Sequence, residues 1–162
     1  MTPRSPDAFD IVDAPSVCTL QFNVMPGREV REDVEIRQYR IGRMWIEAEF
    51  DRRYESTMLH SPSHLTFVAA LVQMQKIAYV FCCHRLGFDP DVSQPEHLKI
   101  WPTDLTISMT DLVRTERGLV HRMEFSLFKR LGPTKYVAVA TTRIGDGLVI
   151  NGRIMIQLLR EP

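Results

Sequence analysis

The chain has 162 residues, of which 44% are hydrophobic and 25% charged, a composition that is ordinary for a globular protein and excludes disordered and fibrous classes. Twenty basic and twenty acidic residues give a formal net charge of zero, and the Lys and Arg residues are scattered along the chain. We therefore expect neither a nucleic-acid partner nor binding to an anionic membrane surface.

The N-terminal segment, residues 1–30, contains four prolines and little periodicity. We predict an irregular arm here, with one short strand in "VCTLQFNV", preceding a single domain over residues 31–162. The first fifteen residues lack a basic patch followed by an apolar core, so no secretory signal is predicted and a cytoplasmic location is expected.

Residues 34–50, "VEIRQYRIGRMWIEAEF", alternate between apolar and polar side chains. Such alternation predicts a half-buried β-strand. Gly42 interrupts the pattern, and we interpret it as a bulge within one long strand.

The segment "SPSHLTFVAALVQMQKIAYVFCCHRLG" predicts one long helix that begins at Ser61 and ends at Gly87. Ser61 followed by Pro62 is typical of an N-cap and first helical position, with Ser63 as the competing cap. Gly87 suits the left-handed position after the last turn. Because apolar residues occur nearly all round this helix, we expect it to be buried in the centre of the fold.

The same helix contains residues that argue against a membrane span and against a metal or redox site. Two glutamines and Lys76 interrupt the apolar run, so a membrane span is not predicted. Two of the three cysteines, Cys82 and Cys83, are adjacent, and Cys18 lies far away in the sequence. No C-x-x-C spacing exists, so we predict reduced thiols rather than a metal or redox pair.

Alternating strands follow a proline-punctuated loop, in "DLTISMTDLV", "GLVHRMEFSLFKR", "TKYVAVATTRI" and "GRIMIQLLRE". Glycines in the connecting segments predict hairpins and an antiparallel meander of about four strands. His121 falls on the apolar face of its strand. One helix followed by several strands predicts the α+β class, with the helix packed on one face of the sheet.

This order of elements resembles the hot-dog fold, in which a curved antiparallel sheet wraps around one long central helix and two subunits usually pair. The likeness covers roughly residues 30–160. Within that superfamily, "HSPSHLTFVAALVQMQKIAYVF" resembles the FcoT-like group of fatty acyl-thioester thioesterases. There a Gly-His-aromatic-Asn corner opens the helix, where this chain has residues 63–66, and an Asn-Gln-Leu-Ala-Tyr stretch follows, where it has residues 75–79.

Two departures from that group concern its chemistry. The asparagine of the corner falls on Thr66, and the carboxylate of the helix falls on Ala69. A weaker likeness is to the hot-dog acyl-carrier-protein dehydratases, whose catalytic histidine lies in a His-x-Pro corner of the form seen at His60. Those enzymes also use an acid on the helix, and the sequence has none between Pro62 and Leu86.

The resemblance implies a homodimeric enzyme that acts on an acyl-CoA or acyl-carrier-protein thioester, most simply by hydrolysis. It implies no cofactor beyond the CoA or phosphopantetheine of the substrate. The helix N-terminus has unpaired N–H groups and about half a positive charge, which can hold the thioester carbonyl. We expect the amides near His64 and Leu65 to do so.

His64 and His60 are the titratable groups of this corner best suited to move a proton near neutral pH. With Ser61 as the cap, His64 would be the third helical residue, where the positive helix end favours neutral imidazole. The alternative for both is a surface histidine at a helix end. Ser63 and Thr66 are further candidates, for substrate binding and catalysis, with helix capping or no special role as the alternative.

Other candidate substrate-binding residues are Tyr54, Glu55, Gln75, Tyr79 and His121. Glu55 is the nearest carboxylate to the corner and could replace the missing acid, unless it is an exposed turn residue. Gln75 could instead bind across a subunit interface, and His121 could be a core histidine. A metal site is not predicted, because the two histidines of the corner have no third ligand.

Two alternatives to hydrolysis stay open. The first is lyase chemistry on the same thioester, either dehydration or addition to an enoyl chain, in lipid or polyketide synthesis. The second is a non-catalytic partner that binds acyl chains or completes a heterodimer, which the departures at Thr66 and Ala69 favour.

Overall fold

One helix and seven strands make up the regular structure of the described residues, 8–90 and 97–159, in a computed structural model of the chain. The elements are β1 (Asp10–Met25), β2 (Arg28–Ile41), β3 (Trp45–Ser56), α1 (Phe67–Leu86), β4 (Leu98–Met109), β5 (Leu119–Arg130), β6 (Lys135–Ile144) and β7 (Leu148–Leu158). The strands form one antiparallel sheet in the order β1-β2-β3-β5-β6-β7-β4.

The sheet curls around α1, which contacts β2, β3, β4 and β5. The inward side chains of the strands and the buried face of the helix form one hydrophobic core. Within it, the rings of Phe81 and Phe125 stack with their centroids 3.9 Å apart. The predicted α+β class, with a single helix packed on one face of an antiparallel sheet, is confirmed.

Residues 10–30 differ from the expected irregular arm, and residues 1–7 of that arm lie outside the described part of the chain. From Asp10 onward the chain forms β1, a strand of 16 residues that pairs with β2 along its length. Pro15 lies where the register shifts between Asp13 and Ser16, and β1 is an edge strand of the sheet. An edge strand tolerates proline at such an irregularity, because the missing N–H group is not needed for the ladder.

The segment around Gly42 is a turn between two strands, so the prediction of one bulged strand over residues 34–50 is wrong. β2 ends at Ile41 and β3 begins at Trp45, and the Gly42 amide donates to the Trp45 carbonyl at 2.9 Å. A Cβ atom on Gly42 would overlap the Trp45 indole, which explains the glycine. Both strands alternate with period two, so the hairpin has the sequence pattern of a single strand.

The strands after the helix also depart from a simple meander. β4 pairs with β7 at the far edge of the sheet, and only β5, β6 and β7 follow one another as hairpins. The segment 110–118 therefore crosses from one side of the sheet to the other. On the way it meets the chain that precedes the helix, where the Leu65 amide donates to the Val113 carbonyl at 2.8 Å.

The helix begins six residues later than predicted. Its N-cap is Thr66, in an extended conformation with φ −75° and ψ 153°, and the Thr66 hydroxyl accepts from the Ala69 amide. Ser61 and Ser63 are therefore not the caps, and His64 lies before the helix rather than in its first turn. The predicted left-handed Gly87 at the other end is confirmed, with φ 80°.

By length and composition α1 could also cross a membrane. Ten of its 20 residues are buried in the fold, however, as in the core helix of a globular protein. Burial is not complete at its start, where the Phe67 and Val68 side chains are 50% and 44% exposed. The expected central helix is thus buried on one broad face and open at its N-terminus.

Candidate active site

The chain between β3 and α1 brings several predicted residues together in front of the helix. Residues 61–66 have no regular secondary structure and end at the N-cap Thr66, whose backbone is extended. The Tyr54 hydroxyl at the end of β3 and the Ser61 hydroxyl share a hydrogen bond of 2.7 Å. The Tyr54 ring also lies beside His64, with ring centroids 5.4 Å apart. These contacts place His64 next to the N-terminus of α1.

One contact selects the tautomer that His64 has when its ring is neutral. Its Nδ1 atom lies 2.7 Å from the Pro62 carbonyl oxygen. Because a carbonyl oxygen only accepts, Nδ1 holds the proton of the neutral ring. The Nε2 atom then has a free lone pair and can accept a proton from a water or a substrate.

Beneath this corner lies a carboxylate that the sequence analysis did not identify. Glu32 is on β2 and is fully buried. Its Oε2 atom accepts a hydrogen bond of 2.6 Å from the Thr66 hydroxyl and one of 3.3 Å from the Thr66 amide. A carboxylate is therefore bound to the first residue of the helix, although no acidic residue lies in its first turn.

Arg52, from the neighbouring strand β3, compensates the buried charge of Glu32. The guanidinium Nη1 atom lies 3.4 Å from Glu32 Oε1, and both side chains are fully buried. Other nitrogens of Arg52 donate to the carbonyls of Thr115 at 2.8 Å and Val113 at 3.4 Å, and to the Ser63 hydroxyl at 3.4 Å. Arg52 thus connects Glu32 to both the crossing segment and the chain before the helix.

Burial sets the protonation behaviour of Glu32. Loss of hydration raises the pKa of its carboxyl group above the ordinary value. The hydrogen bonds from Thr66, the nearby charge of Arg52 and, when its ring is protonated, the charge of His64 act in the opposite direction and offset part of this shift. The pKa of Glu32 therefore depends on the hydrogen bonds and charges of the residues around it.

Two backbone donors at the start of the helix are unused. The Ala69 amide bonds to the Thr66 hydroxyl at 3.2 Å, and the Ala70 amide bonds to the Thr66 carbonyl at 2.9 Å. The amides of Phe67 and Val68, between them, have no acceptor among the described residues. Helix N-termini bind negative charge through such amides.

A cavity of about 240 Å³ runs along the same helix. The helix lines it with Leu71, Met74, Gln75 and Ala78, whose spacing of three and four residues defines one face. Strands β4 to β7 supply the other walls, mostly with apolar side chains. Phe67 and Val68 precede Leu71 by four and three residues, so their side chains lie on the face of the helix that lines the cavity. Their free amides point along the helix axis at its N-terminal end.

Several predicted residues lie away from the corner. Glu55 is exposed and pairs with Arg53, and His60 is exposed in a turn with φ 60°. Tyr79 lies in the C-terminal half of α1, and its hydroxyl accepts a hydrogen bond from the His97 amide at 3.4 Å.

Two further predicted positions have different environments from those expected. The Leu65 amide, expected to hold a carbonyl, donates to the crossing segment instead. His121 is fully buried in the core, its ring nitrogens have no hydrogen-bond partner among the described residues, and burial lowers its pKa to about 3. Of the more distant candidates, Gln75 is the one that lines the cavity.

A signal for the missed pair was present in the sequence. Glu32 follows Val30 and precedes Val34 at period two, so a carboxylate occupies an inward position of an apolar face. Arg52 follows Phe50 in the same way on β3. Opposite charges at inward positions of two adjacent strands predict a buried ion pair.

Among residues 8–90 and 97–159, no group of three or more His, Cys, Asp and Glu side chains is placed to hold a metal ion. Comparison with models of protein families found no match, and comparison with curated proteins found none either.

Among solved structures, the chain is similar to a thioesterase from Haemophilus influenzae, with 17% identity, a TM-score of 0.48, and coverage of 79% of this chain and 80% of that one. It is also similar to a mutant thioesterase from Pseudomonas aeruginosa, with 15% identity, a TM-score of 0.47, and coverage of 76% and 82%. A putative thioesterase from Lactococcus lactis matches with 8% identity, a TM-score of 0.42, and coverage of 89% and 94%. At these identities a shared activity does not follow from the likeness.

Proposed function

We propose that this protein is an acyl thioesterase of the hot-dog type, which hydrolyses an acyl-CoA or acyl-carrier-protein thioester at the N-terminus of α1. The observation that supports this most is that α1 has free amides at Phe67 and Val68 at its N-terminal end and lines an apolar cavity from Leu71 onward. A thioester needs both, because its carbonyl must be polarised while its acyl chain is kept from water.

The two amides would act on the carbonyl oxygen. As water attacks, negative charge develops on this oxygen, and the helix terminus contributes about half a positive charge next to it. Donors that are fixed before the reaction stabilise such an oxyanion without reorganisation. Removing one donor of this kind typically lowers kcat by about 100- to 1,000-fold.

His64 would move the proton. Its Nε2 atom takes a proton from water while the water oxygen bonds to the carbonyl carbon. When the tetrahedral intermediate collapses, the C–S bond breaks and the proton passes from His64 to the departing thiolate. Tyr54 and Ser61 hold the ring and the chain around it.

The cavity would bind the acyl chain. At about 240 Å³ it is smaller than the roughly 300–1,000 Å³ of sites for drug-sized ligands, which favours short or medium acyl groups. Gln75 lies at the cavity, where its exposed amide could bind a polar part of the substrate. No cofactor is needed beyond the CoA or phosphopantetheine of the substrate.

The strand order supports the hot-dog assignment and a homodimer. α1 packs against β2, β3, β4 and β5. β6 and β7 complete the sheet between β5 and β4, and β1 extends it beyond β2. β4 is the edge strand that lines the cavity, and it exposes Trp101 and Ile107. We propose that a second copy pairs along this edge. We also propose that the resemblance of residues 60–81 to the FcoT-like group reflects the same kind of thioesterase.

The test is release of free thiol from a panel of acyl-CoA substrates, from acetyl to palmitoyl, followed with a thiol reagent. We expect release from the shorter substrates, and a loss of about 100-fold or more in kcat/KM for His64→Ala. His84→Ala is the matched control, because His84 is a partly exposed histidine at the opposite end of α1 and pairs with Asp10.

Two outcomes would contradict hydrolysis. No thiol release together with a shift of the acyl double bond of an enoyl substrate would favour the lyase alternative, which needs the same polarised carbonyl and histidine. Binding of acyl-CoA without any turnover, unchanged in His64→Ala, would favour the non-catalytic partner.

A further inference from the structure

The free amides of Phe67 and Val68 depend on how the first residue of the helix is held. Thr66 is the N-cap, and the extended backbone before it turns into the helix at this point. A cap residue on an open chain end has freedom to rotate its side chain and to fray. Here Thr66 is fixed from below by Glu32 through two hydrogen bonds.

We propose that Glu32 is a positioning residue of this site: through Thr66 it fixes the start of α1, so that the free amides of Phe67 and Val68 face the position of a thioester carbonyl. The proposal rests on the proposed function, which places the carbonyl there. It assigns to β2 the acidic residue that the helix lacks.

The direction of the hydrogen bonds supports this role. A carboxylate only accepts, so the Thr66 hydroxyl must donate its proton to Glu32, at 2.6 Å. Its lone pairs are then left for the Ala69 amide, at 3.2 Å. Glu32 thereby selects the rotamer in which Thr66 caps the helix, and the two amides between Thr66 and Ala69 stay unpaired.

The charge of Glu32 is also placed where a helix favours it. An anion at a helix N-terminus is stabilised by the positive end of the dipole, and Arg52 offsets the cost of burial. A neutral glutamine would have to turn its NH₂ group toward either Arg52 or Thr66. Both of these partners are donors, so one contact would be lost.

A purely structural role for Glu32 makes a different prediction. In that case Glu32 would only neutralise Arg52, and any change that weakens the pair would lower activity to the same degree. Arg52→Lys provides this comparison, because a lysine keeps a positive charge near Glu32 but cannot keep all the bonds to Thr115, Val113 and Ser63. It leaves the contact between Glu32 and Thr66 in place.

The first experiment measures kcat and KM on the best acyl-CoA substrate, at a temperature where circular dichroism shows every variant folded. We expect Glu32→Gln and Thr66→Val to lower kcat by about 100-fold with KM within about threefold, because a misplaced donor chiefly affects the transition state. Thr66→Ser, which keeps the hydroxyl, and Arg52→Lys should keep kcat within about fivefold.

The second experiment needs no substrate. Hydrogen exchange of the wild type, Glu32→Gln and Thr66→Val, followed by NMR, should show about five- to tenfold faster exchange at the Thr66 and Ala69 amides, as expected for a lost cap. Amides in the β5–β7 part of the sheet should keep their relative protection. Thr66→Val leaves the buried ion pair of Glu32 and Arg52 intact and removes the hydroxyl contact to Glu32. It therefore tests that contact if Glu32→Gln does not fold.

The outcomes separate the two proposals. Equal kcat losses in Arg52→Lys and Glu32→Gln, or unchanged exchange at Thr66 and Ala69, would overturn the positioning role. If the wild type hydrolyses no thioester, the proposed function is wrong, and the exchange experiment still decides whether Glu32 fixes the start of the helix.

Discussion

Glu32 and Arg52 face each other inside the sheet, on adjacent strands, with their nearest charged atoms 3.4 Å apart and both side chains fully buried. Removing one member of such a pair leaves an uncompensated charge in the core, at a cost of about 3–5 kcal/mol. Replacing both members by apolar residues removes part of this penalty, because neither charge is then left without its partner.

We therefore expect Glu32→Leu and Arg52→Met each to lower the free energy of unfolding by about 3–5 kcal/mol, and the double variant to lose about 0.5–3 kcal/mol less than the sum of the two. Urea unfolding of all three variants measures this coupling. Additive losses would mean that the two charges do not stabilise each other.

The cavity along α1 predicts a change in substrate preference. Ala140 lines it from β6, and Ala140→Leu would fill part of the space. We expect kcat/KM for the longest accepted acyl chain to fall by about tenfold or more, since each excluded CH₂ group forfeits about 0.8 kcal/mol of burial. The shortest substrate should be nearly unaffected.

Ile154→Val, which enlarges the same cavity, is the matched variant. Its stability cost should be about 0.5–1.5 kcal/mol, and its preference should move toward longer chains. If both variants changed all substrates equally, the acyl chain would not occupy this cavity.

The three free cysteines should differ in reactivity. Cys82 and Cys83 are fully buried, and burial raises the pKa of the Cys83 thiol to about 11 and that of Cys82 still further. The thiolate is the reactive form, so neither should react in the native protein at pH 8. Cys18, on β1, is only partly buried.

Alkylation with iodoacetamide, followed by mass spectrometry, should show one fast modification at Cys18 in the native state and three in guanidinium. A Cys18→Ser variant should show no fast modification. Rapid labelling of the adjacent cysteines would mean that the C-terminal half of α1 opens readily.

His121 should make stability depend on pH. Burial lowers the pKa of its ring to about 3, below the ordinary value of 6.5 that applies in the unfolded chain. Between these two values the unfolded state binds a proton that the native state does not. Stability is therefore lost as the pH falls from about 6.5 toward 3, and it is fully retained above this range.

Comparison of the wild type with His121→Phe isolates this contribution. Between pH 6.5 and 5 the wild type should lose about 2 kcal/mol more than the variant, at about 1.4 kcal/mol per pH unit. The raised pKa of Glu32 acts in the opposite direction, because its native carboxyl group binds a proton more readily, but it is present in both proteins. Parallel pH profiles from urea unfolding would contradict the prediction.

The sequence predicted the features that depend on local pattern. Alternation predicted strands at the positions of β4 to β7, the long apolar run predicted α1, and Gly87 predicted its end. The turn at residues 145–147 was likewise predicted from its two glycines and joins β6 to β7. These features depend on periodicity and backbone freedom, which short segments of sequence contain.

Features set by distant contacts could not be predicted in this way. Ser61 has a better local signature for an N-cap than Thr66, but the crossing segment bonds to Leu65 and Glu32 bonds to Thr66, so the helix begins after these contacts. His64 lies in the corner itself and is visible in the local sequence, whereas Glu32 reaches the corner from a strand about 30 residues earlier in the chain. Placing a carboxylate from another strand next to the helix requires knowledge of the sheet order.

The position of β4 has a consequence for how the protein forms. Leu98 on β4 pairs with Leu158 on β7. β4 therefore cannot pair until β7, the last of the described strands to be synthesised, is available. During translation α1 and β4 emerge with their apolar surfaces uncovered, and closing so long a loop is slow. The wall of the cavity along α1 is thus among the last parts to assemble, and nascent chains of this protein should engage chaperones until β7 is released from the ribosome.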